Sequence, residues 1–294
     1  ITYSMKDWIK AGEIAAEVRE FGKKLIKPGK SHLDVTNKIE AKILELGGGI
    51  AFPTQMSLNH VAAHYTALLN KDIEFKEGDL IKLDLGVHID GAIGDTAVSV
   101  DLGDNKKLVK ASENALSAAL EIIKPGVEVR EIGKAIHSEI TQLGFAPVKN
   151  LGGHGLDKYQ IHTSPTIPNY DNGDSSKLEK DQIIAIEPFA SSGSGLVGEG
   201  NPSEIFQLMN PKNIRNQNAR LILRYISEKY KTLPFAKRQL LNKFNKLQIA
   251  TGLVALKREG ILHEYGTLPE RVKDSMVSQT EHTVIVGEKI TTKI

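Results

Sequence analysis

Asp79-Leu80-Ile81-Lys82-Leu83-Asp84-Leu85-Gly86-Val87-His88-Ile89-Asp90-Gly91-Ala92-Ile93-Gly94-Asp95-Thr96-Ala97-Val98-Ser99-Val100 places two apolar, β-prone runs on either side of Asp90-Gly91. Asp-Gly between such runs is the strongest short-range signal for a two-residue hairpin. With those two residues as the turn, Ile89 pairs with Ala92 and Asp84 falls opposite Ala97. Asp95, two residues from Ala97, then points to the same face as Asp84, one diagonal step away. The other face carries Ile81, Leu83, Leu85, Val87, Ile89, Ala92, Val98 and Val100, a surface made for burial. The hairpin therefore buries one face and aims two carboxylates from the other. Two acids so close repel each other unless something positive lies between them. They are either unrelated polar-face residues or a pair of metal ligands, and the rest of the chain has to decide.

The chain has 294 residues, 40% of them hydrophobic and 25% charged, which suits one large domain or a domain with an insertion. No run approaches the roughly 18 apolar residues of a membrane span. The first residues, Ile1 to Asp7, lack a basic start followed by an apolar stretch, so no signal peptide is read there and a cytoplasmic location is expected. With no cysteine, disulfides and thiolate metal sites are excluded, and any metal is held by oxygen and imidazole. The net charge of +2 hides an asymmetry: Asn210 to Ala250 holds ten basic residues and one acid, Glu228. That block is +9, which leaves about −7 on the remainder, so the two are expected to be different structural units.

Helical periodicity runs from about Lys6 to Ile26 and stops at Lys27-Pro28-Gly29; a second helix carries Val35, Ile39, Ile43 and Leu46 and ends at Gly47. Ile122-Ile123-Lys124-Pro125-Gly126 repeats the first stop at an offset of 97 residues. At the same offset Ile132, Ile136, Ile140, Leu143 and Gly144 repeat the second helix and its stop. The chain thus reads as two related halves, each a helix pair followed by strands, with two pseudo-symmetric sheets facing one central site. In the second half Asp181 to Pro188 is a strand closed by proline, and it carries Glu187 in nearly the role of Asp84. Between Ser191 and Gly266 the repeat has no counterpart. Ser191-Ser192-Gly193-Ser194-Gly195 reads as a flexible lead into an insertion with helical patterns at about 219–230, 234–244 and 247–259. The expected division is a catalytic domain of 1–195 and 266–294 with a basic helical insertion of 196–265. Gln279 to Val286 returns as a strand with one more acid, Glu281.

The candidate ligands are Asp84, Asp95, Glu187, Glu281 and His154, the last flanked by glycines that permit close approach of a ligand to the backbone. Singly, each has an ordinary explanation as a solvated acid or a loop histidine. Together, four carboxylates and a neutral imidazole carry too much charge for one divalent ion and balance two. Oxygen and nitrogen donors suit Co²⁺, Mn²⁺, Fe²⁺ or Zn²⁺ without choosing among them. Two such ions can share a hydroxide and polarise a carbonyl.

These motifs, together with Phe52-Pro53-Thr54, Ser57-Leu58-Asn59, Ala62-Ala63-His64-Tyr65, Tyr159-Gln160-Ile161-His162, Ile186-Glu187-Pro188-Phe189 and Glu281-His282-Thr283, closely resemble the type 2 methionine aminopeptidases of the pita-bread metallopeptidase family. The resemblance spans nearly the whole chain, insertion included, and is nearest to the archaeal form. It implies an α+β pita-bread fold with two pseudo-symmetric halves of helix pair and antiparallel sheet, and a winged-helix-like insertion. It implies removal of the initiator methionine from nascent polypeptides, with a small second residue preferred. Asp84 would hold one metal, His154 and Glu187 the other, and Asp95 and Glu281 would bridge. His64 would sit beside the substrate's peptide nitrogen or terminal amine, and His162 would hydrogen-bond the scissile carbonyl. Phe52, Ile161, Phe189 and Tyr265 would line the methionine pocket. His60, His88 and His282 read as structural.

Two other functions fit parts of the pattern. A proline-specific aminopeptidase or prolidase shares the five ligands, but its relatives usually carry a further N-terminal domain. A non-catalytic protein of the same fold could bind RNA or the ribosome through the +9 block, although ligand loss would then be expected. That block could equally dock an active enzyme at the ribosome, with Lys237 and Arg238 as the residues to test, or be an ordinary solvated surface. No membrane partner is implied, and a monomer is expected.

Overall fold

A computed structural model describes residues 5–293; the reading of the first four residues as free of a signal lies outside them. The first half comprises α1 (Met5–Leu25), α2 (His32–Glu45), β1 (Gly49–Leu58), β2 (Val61–Ala63), β3 (Leu80–Ile89) and β4 (Ala92–Asp101). The second comprises α3 (Lys106–Ile122), α4 (Val129–Gln142), β5 (Ala146–Pro147), β6 (Gly152–Asp157), β7 (Gln160–Pro168), β8 (Ile183–Ile186) and β9 (Phe189–Ser191). The insertion adds β10 (Pro202–Leu208), α5 (Gln217–Lys229), β11 (Phe235–Ala236), a 3₁₀ turn (Lys237–Asn242), α6 (Lys246–Arg258) and β12 (Leu262–Gly266). The return consists of β13 (Leu268–Pro269), β14 (Val277–Gln279), β15 (Glu281–Ile285) and β16 (Lys289–Ile290).

The β3–β4 hairpin forms as its sequence requires. Asp90 and Gly91 have φ of 45° and 88°, the left-handed pair of a type I′ turn, and Asp84 pairs with Ala97. Leu83, Leu85 and Val87 pack with Ile14, Val18, Val35, Ile39 and Ile43 of α1 and α2, so the helices cover one face and leave the carboxylate face free. The repeat is equally plain in three dimensions: both helix pairs break at left-handed glycines the same distance apart, Gly29 with Gly126 and Gly47 with Gly144. A second core, built on α3, α4, Ile184 and Ile186, is the counterpart of the first.

The two halves do not form two sheets. One eight-stranded sheet runs β1-β3-β4-β15-β8-β6-β7, with β16 on β15. Its centre is the β4–β15 pair, where Glu281 lies opposite Ala97 and His282 opposite Thr96. Hairpin β3–β4 is matched by β8–β15, and β1 by β6, so a pseudo-two-fold axis passes between β4 and β15. Joining the sheets satisfies the inner edge of each half, which would otherwise expose unpaired backbone groups.

The insertion has its own core of Phe206, Ile222, Ile226, Phe235, Leu240, Ile249, Leu253 and Leu256. It is not purely helical: β11-β10-β12 form a three-stranded sheet beside α5 and α6. Residues 234–244, expected as a helix, instead give β11 and the 3₁₀ turn, because Phe235 and Ala236 are fully buried in pairing with Phe206 and Ile205. The serine- and glycine-rich lead is also not loose. Glu270, at the far end of the insertion, accepts from the Ser191 hydroxyl at 2.6 Å, from the Ser194 hydroxyl at 2.5 Å and from the Gly195 amide at 2.9 Å.

Candidate metal centre and substrate cavity

Register alone places all five candidate ligands on one face of the sheet. Directly paired residues share a face, so Asp84, Ala97 and Glu281 form a row across β3, β4 and β15, with Asp95 two residues along. Ile186 pairs with His282, which turns Glu187 to the side of Glu281, and Ala185 of β8 pairs with His154 of β6. His154 Nε2 lies 3.8 Å from Asp95 Oδ2 and 3.6 Å from Glu187 Oε1. Donor atoms of Asp95, His154 and Glu281 fall within 4.8 Å of one another. The glycines beside His154 serve a different contact from the one expected. A Cβ on Gly153 would meet the Ala185 carbonyl oxygen at 2.2 Å, and one on Gly155 the Ser164 carbonyl oxygen at 2.2 Å, so they admit neighbouring strands rather than a ligand.

The electrostatics of this cluster are those of a cation site. Oδ1 of Asp84, Oδ1 of Asp95 and Oε2 of Glu281 are buried with no hydrogen-bond partner among the described residues. Burial pushes the Asp84 carboxyl up to about 7. Burial and then the neighbouring acids push Asp95, Glu187 and Glu281 well above the usual carboxylate range. Burial holds His154 down at about 3, hence neutral. Its Nδ1 is 3.2 Å from the Gly155 carbonyl; a proton donated there leaves Nε2 as the free donor atom facing the acids. Orphaned carboxylate oxygens around a neutral imidazole suit divalent cations, and these residues fit them.

The cluster forms the floor of a cavity of about 720 Å³ that is also lined by His64, His162, Phe52, Ile161, Phe189 and Tyr265. The sheet and the insertion thus bring the five candidate ligands, the two candidate catalytic histidines and the four candidate pocket residues to one place. Ile205, Pro234 and Leu268 complete the apolar wall. The first two come from the insertion, which thus closes one side of the cavity. His162 stands edge-on to His154, ring centres 4.5 Å apart. His64 adopts φ of 65°, its amide donating to Gln55 Oε1 at 2.6 Å and its ring standing edge-on to Tyr265 at 5.1 Å. Burial lowers His64 to about 4 and lowers His162 as well, so both are neutral near pH 7. Gln55 carried no sequence signal, because its role depends on where His64 folds back.

His88 and His282 are structural, as expected. His88 Nδ1 is 3.3 Å from the Gly91 amide, and His282 Nδ1 is 2.9 Å from the Thr292 hydroxyl and 3.4 Å from Arg19. Lys237 and Arg238 are not free surface cations. Lys237 pairs with Glu204 at 2.7 Å, and Arg238 grips Glu40 of α2 through both terminal nitrogens, with the two side chains 8% and 9% exposed.

A sheet built about a pseudo-two-fold, with candidate ligands from both halves meeting at its centre, is the framework of a metal-dependent hydrolase, and the comparisons with known proteins agree. The chain belongs to metallopeptidase family M24, whose model matches residues 7–221. It is 49% identical over 288 residues to a methionine aminopeptidase of Archaeoglobus fulgidus, covering 97% of each chain. It is 46% identical over 280 residues to one of Pyrococcus horikoshii, covering 95% of each. The solved structure of a methionine aminopeptidase from Thermotoga maritima shares the fold, with a TM-score of 0.71 at 24% identity over 100% of this chain and 99% of that one.

Proposed function

We propose that this chain is a metal-dependent aminopeptidase that removes the initiator methionine from nascent polypeptides. The observation that carries the reading is the joining, in one cavity, of five candidate metal ligands to an aromatic and aliphatic wall, a lining that suits a methionine side chain. Near-half identity over almost the full length to methionine aminopeptidases supports the substrate, and the proline-specific alternative is not favoured.

Asp84, His154 and Glu187 would hold two divalent cations, Co²⁺, Mn²⁺, Fe²⁺ or Zn²⁺, with Asp95 and Glu281 shared between them. Bound there, such cations supply Lewis acidity and bring the pKa of water toward neutrality. The chain's own residues do the rest. Phe52, Ile161, Phe189 and Tyr265 enclose the methionine side chain and exclude water from it. His64, its Nδ1 proton directed to Gly266, presents Nε2 to the peptide nitrogen or the terminal amine. His162 presents a neutral imidazole N–H toward the scissile carbonyl, where it stabilises negative charge as it develops. Leu268, paired with Ala63 beside His64, lines the cavity, where its side chain would favour a small second residue.

We take the enzyme to act as a monomer in the cytoplasm, where nascent chains are made; among the described residues no helix is long and apolar enough to cross a membrane. The division into catalytic core and insertion of 196–265 is supported by the insertion's separate core. A contact with the ribosome is assigned to exposed Arg220 and Leu221 of α5 and to Leu247, Val254 and Arg258 of α6, which lie on the insertion's outer surface. Salt-sensitive co-sedimentation with ribosomes that is lost in Arg220→Glu/Arg258→Glu supports it; unchanged association refutes it.

The deciding assay restores Mn²⁺ or Co²⁺ to metal-stripped protein and follows methionine release from Met-Ala-Ser, with Met-Lys-Ser and Ala-Pro-Ser alongside. Cleavage of Met-Ala-Ser alone, lost in Asp95→Ala, is expected. Cleavage of Ala-Pro-Ser instead would move the chain to the proline-specific peptidases.

A further inference from the structure

The pseudo-two-fold assigns each of the four candidate acidic ligands a counterpart. Asp84 faces Ala97 across β3–β4, and the β8–β15 register, carried one step past the Ile186–His282 pair, sets Glu187 against Glu281, so Asp84 corresponds to Glu187 and Ala97 to Glu281. Two residues back, Asp95 corresponds to Gln279.

Backbone contacts bear out this match. Beyond the two directly paired residues, β4 and the β14–β15 segment separate, and at each end one hydroxyl fills the gap. Thr283 Oγ1 accepts from the Asp95 amide and donates to the Asp95 carbonyl, both at 2.8 Å. Ser99 Oγ accepts from the Gln279 amide at 2.9 Å and donates to the Gln279 carbonyl at 2.8 Å. Asp95 and Gln279 are thus the two positions along this seam at which one hydroxyl of the opposite strand bonds both the backbone amide and the backbone carbonyl.

The chemistry differs at the two positions. Where the first half has an acid, the second has a neutral amide, fully buried. Its Nε2 donates to Asp84 Oδ2 at 3.2 Å and to Glu187 Oε2 at 3.3 Å. One amide nitrogen therefore ties together the outer carboxylates of the two halves, which would otherwise repel each other. A fifth acid at this position would add charge that two divalent cations do not balance.

We propose that Gln279 is a positioning residue that holds Asp84 and Glu187 converged for cation binding. It occupies a ligand's place in the symmetry without being a ligand. The inference rests on reading the five-residue cluster as the metal centre. It makes a specific demand: loss of the amide weakens cation binding while leaving the fold in place.

The test is calorimetric titration of Mn²⁺ into metal-stripped wild type, Gln279→Met and Ser99→Ala, with thermal unfolding of each metal-free protein. Gln279→Met keeps the volume and removes the donor; Ser99→Ala keeps the amide and removes its backbone anchor. Side chains that hydrogen-bond a metal's ligands typically alter affinity about 10–100-fold, and a loss of that size is expected for Gln279→Met, with a smaller loss for Ser99→Ala. The metal-free Tm of Gln279→Met should stay close to wild type. Affinities of both variants within twofold of wild type would overturn the proposal. So would a fall in affinity that only tracks a collapse of the metal-free Tm. Failure of the wild type itself to bind Mn²⁺ would overturn the metal-centre reading, a separate result visible before any variant is compared.

Discussion

His64 Nδ1 lies 3.2 Å from the carbonyl oxygen of Gly266, so a histidine of the catalytic core takes its tautomer from the last residue of the insertion's final strand. The Nδ1 proton is directed to that carbonyl, and Nε2 is left as an acceptor in the cavity. His64→Ala should lower kcat/KM about 100-fold, the low end for loss of a proton-handling group. Mn²⁺ affinity measured by calorimetry should not change, since His64 is not among the ligands. A matching loss of affinity would make it part of the metal centre instead.

For His162 the expected effect falls on kcat. Loss of a single donor to a developing oxyanion costs about 10²–10³ in rate. Steady-state kinetics of His162→Ala on Met-Ala-Ser should show that drop with KM nearly constant; a rise in KM alone would assign the residue to ground-state binding.

Metal-free protein should lose stability as the pH rises from about 6.5 to 8. The folded pKa values of Asp84, Asp95, Glu187 and Glu281 are raised, so the native state holds more protons than the unfolded one, and stability falls as they leave. His64 and His154, held at about 4 and about 3, act in the opposite sense, but only below the unfolded histidine value near 6.5. Above it the carboxylates act without that opposition. Thermal melts across this range should therefore slope downward without metal and flatten with saturating Mn²⁺, because cations replace the protons. A flat metal-free profile would contradict the charge crowding described above.

The Glu40–Arg238 pair joins the insertion to α2, and Glu40 also accepts from the Thr54 amide at 3.2 Å. Removing one partner of a buried pair leaves an uncompensated charge and typically costs about 3–5 kcal/mol. Arg238→Leu should lower stability on that scale in urea unfolding, and the double variant Glu40→Met/Arg238→Leu should recover most of it. A double variant no better than the single one would show that the guanidinium contributes by packing rather than by charge.

Much of this was readable in the chain. The Asp90-Gly91 turn, the period of two that aims Asp84 and Asp95 together, and the helix stops at Gly29 and Gly126 are local features, set by residues within a few positions of one another. What escaped depends on partners far apart. The two halves fuse into one sheet because β4 meets β15 across about 180 residues of sequence. Ala236, Leu240 and Phe244 mimic helical spacing, yet pairing with β10 extends the first of them. Lys237 and Arg238 look like surface cations until Glu204 and Glu40 fold beneath them. Gln279 gave no signal because an uncharged side chain among acids looks like an ordinary strand residue.

Glu270 gathers Ser191, Ser194 and Gly195 at one carboxylate, so an excursion of more than seventy residues leaves and rejoins the core through a single knot. Once such a knot is tied, the closure entropy of the loop it bounds rises only with the logarithm of length, by about 0.6 kcal/mol for each doubling. Evolution can therefore lengthen, trim or redecorate the outer helices at small thermodynamic expense, provided that Ile205, Pro234, Tyr265 and Gly266 still reach back to the cavity. The insertion is free to diverge on its outer side and is held to its shape on the side that lines the cavity.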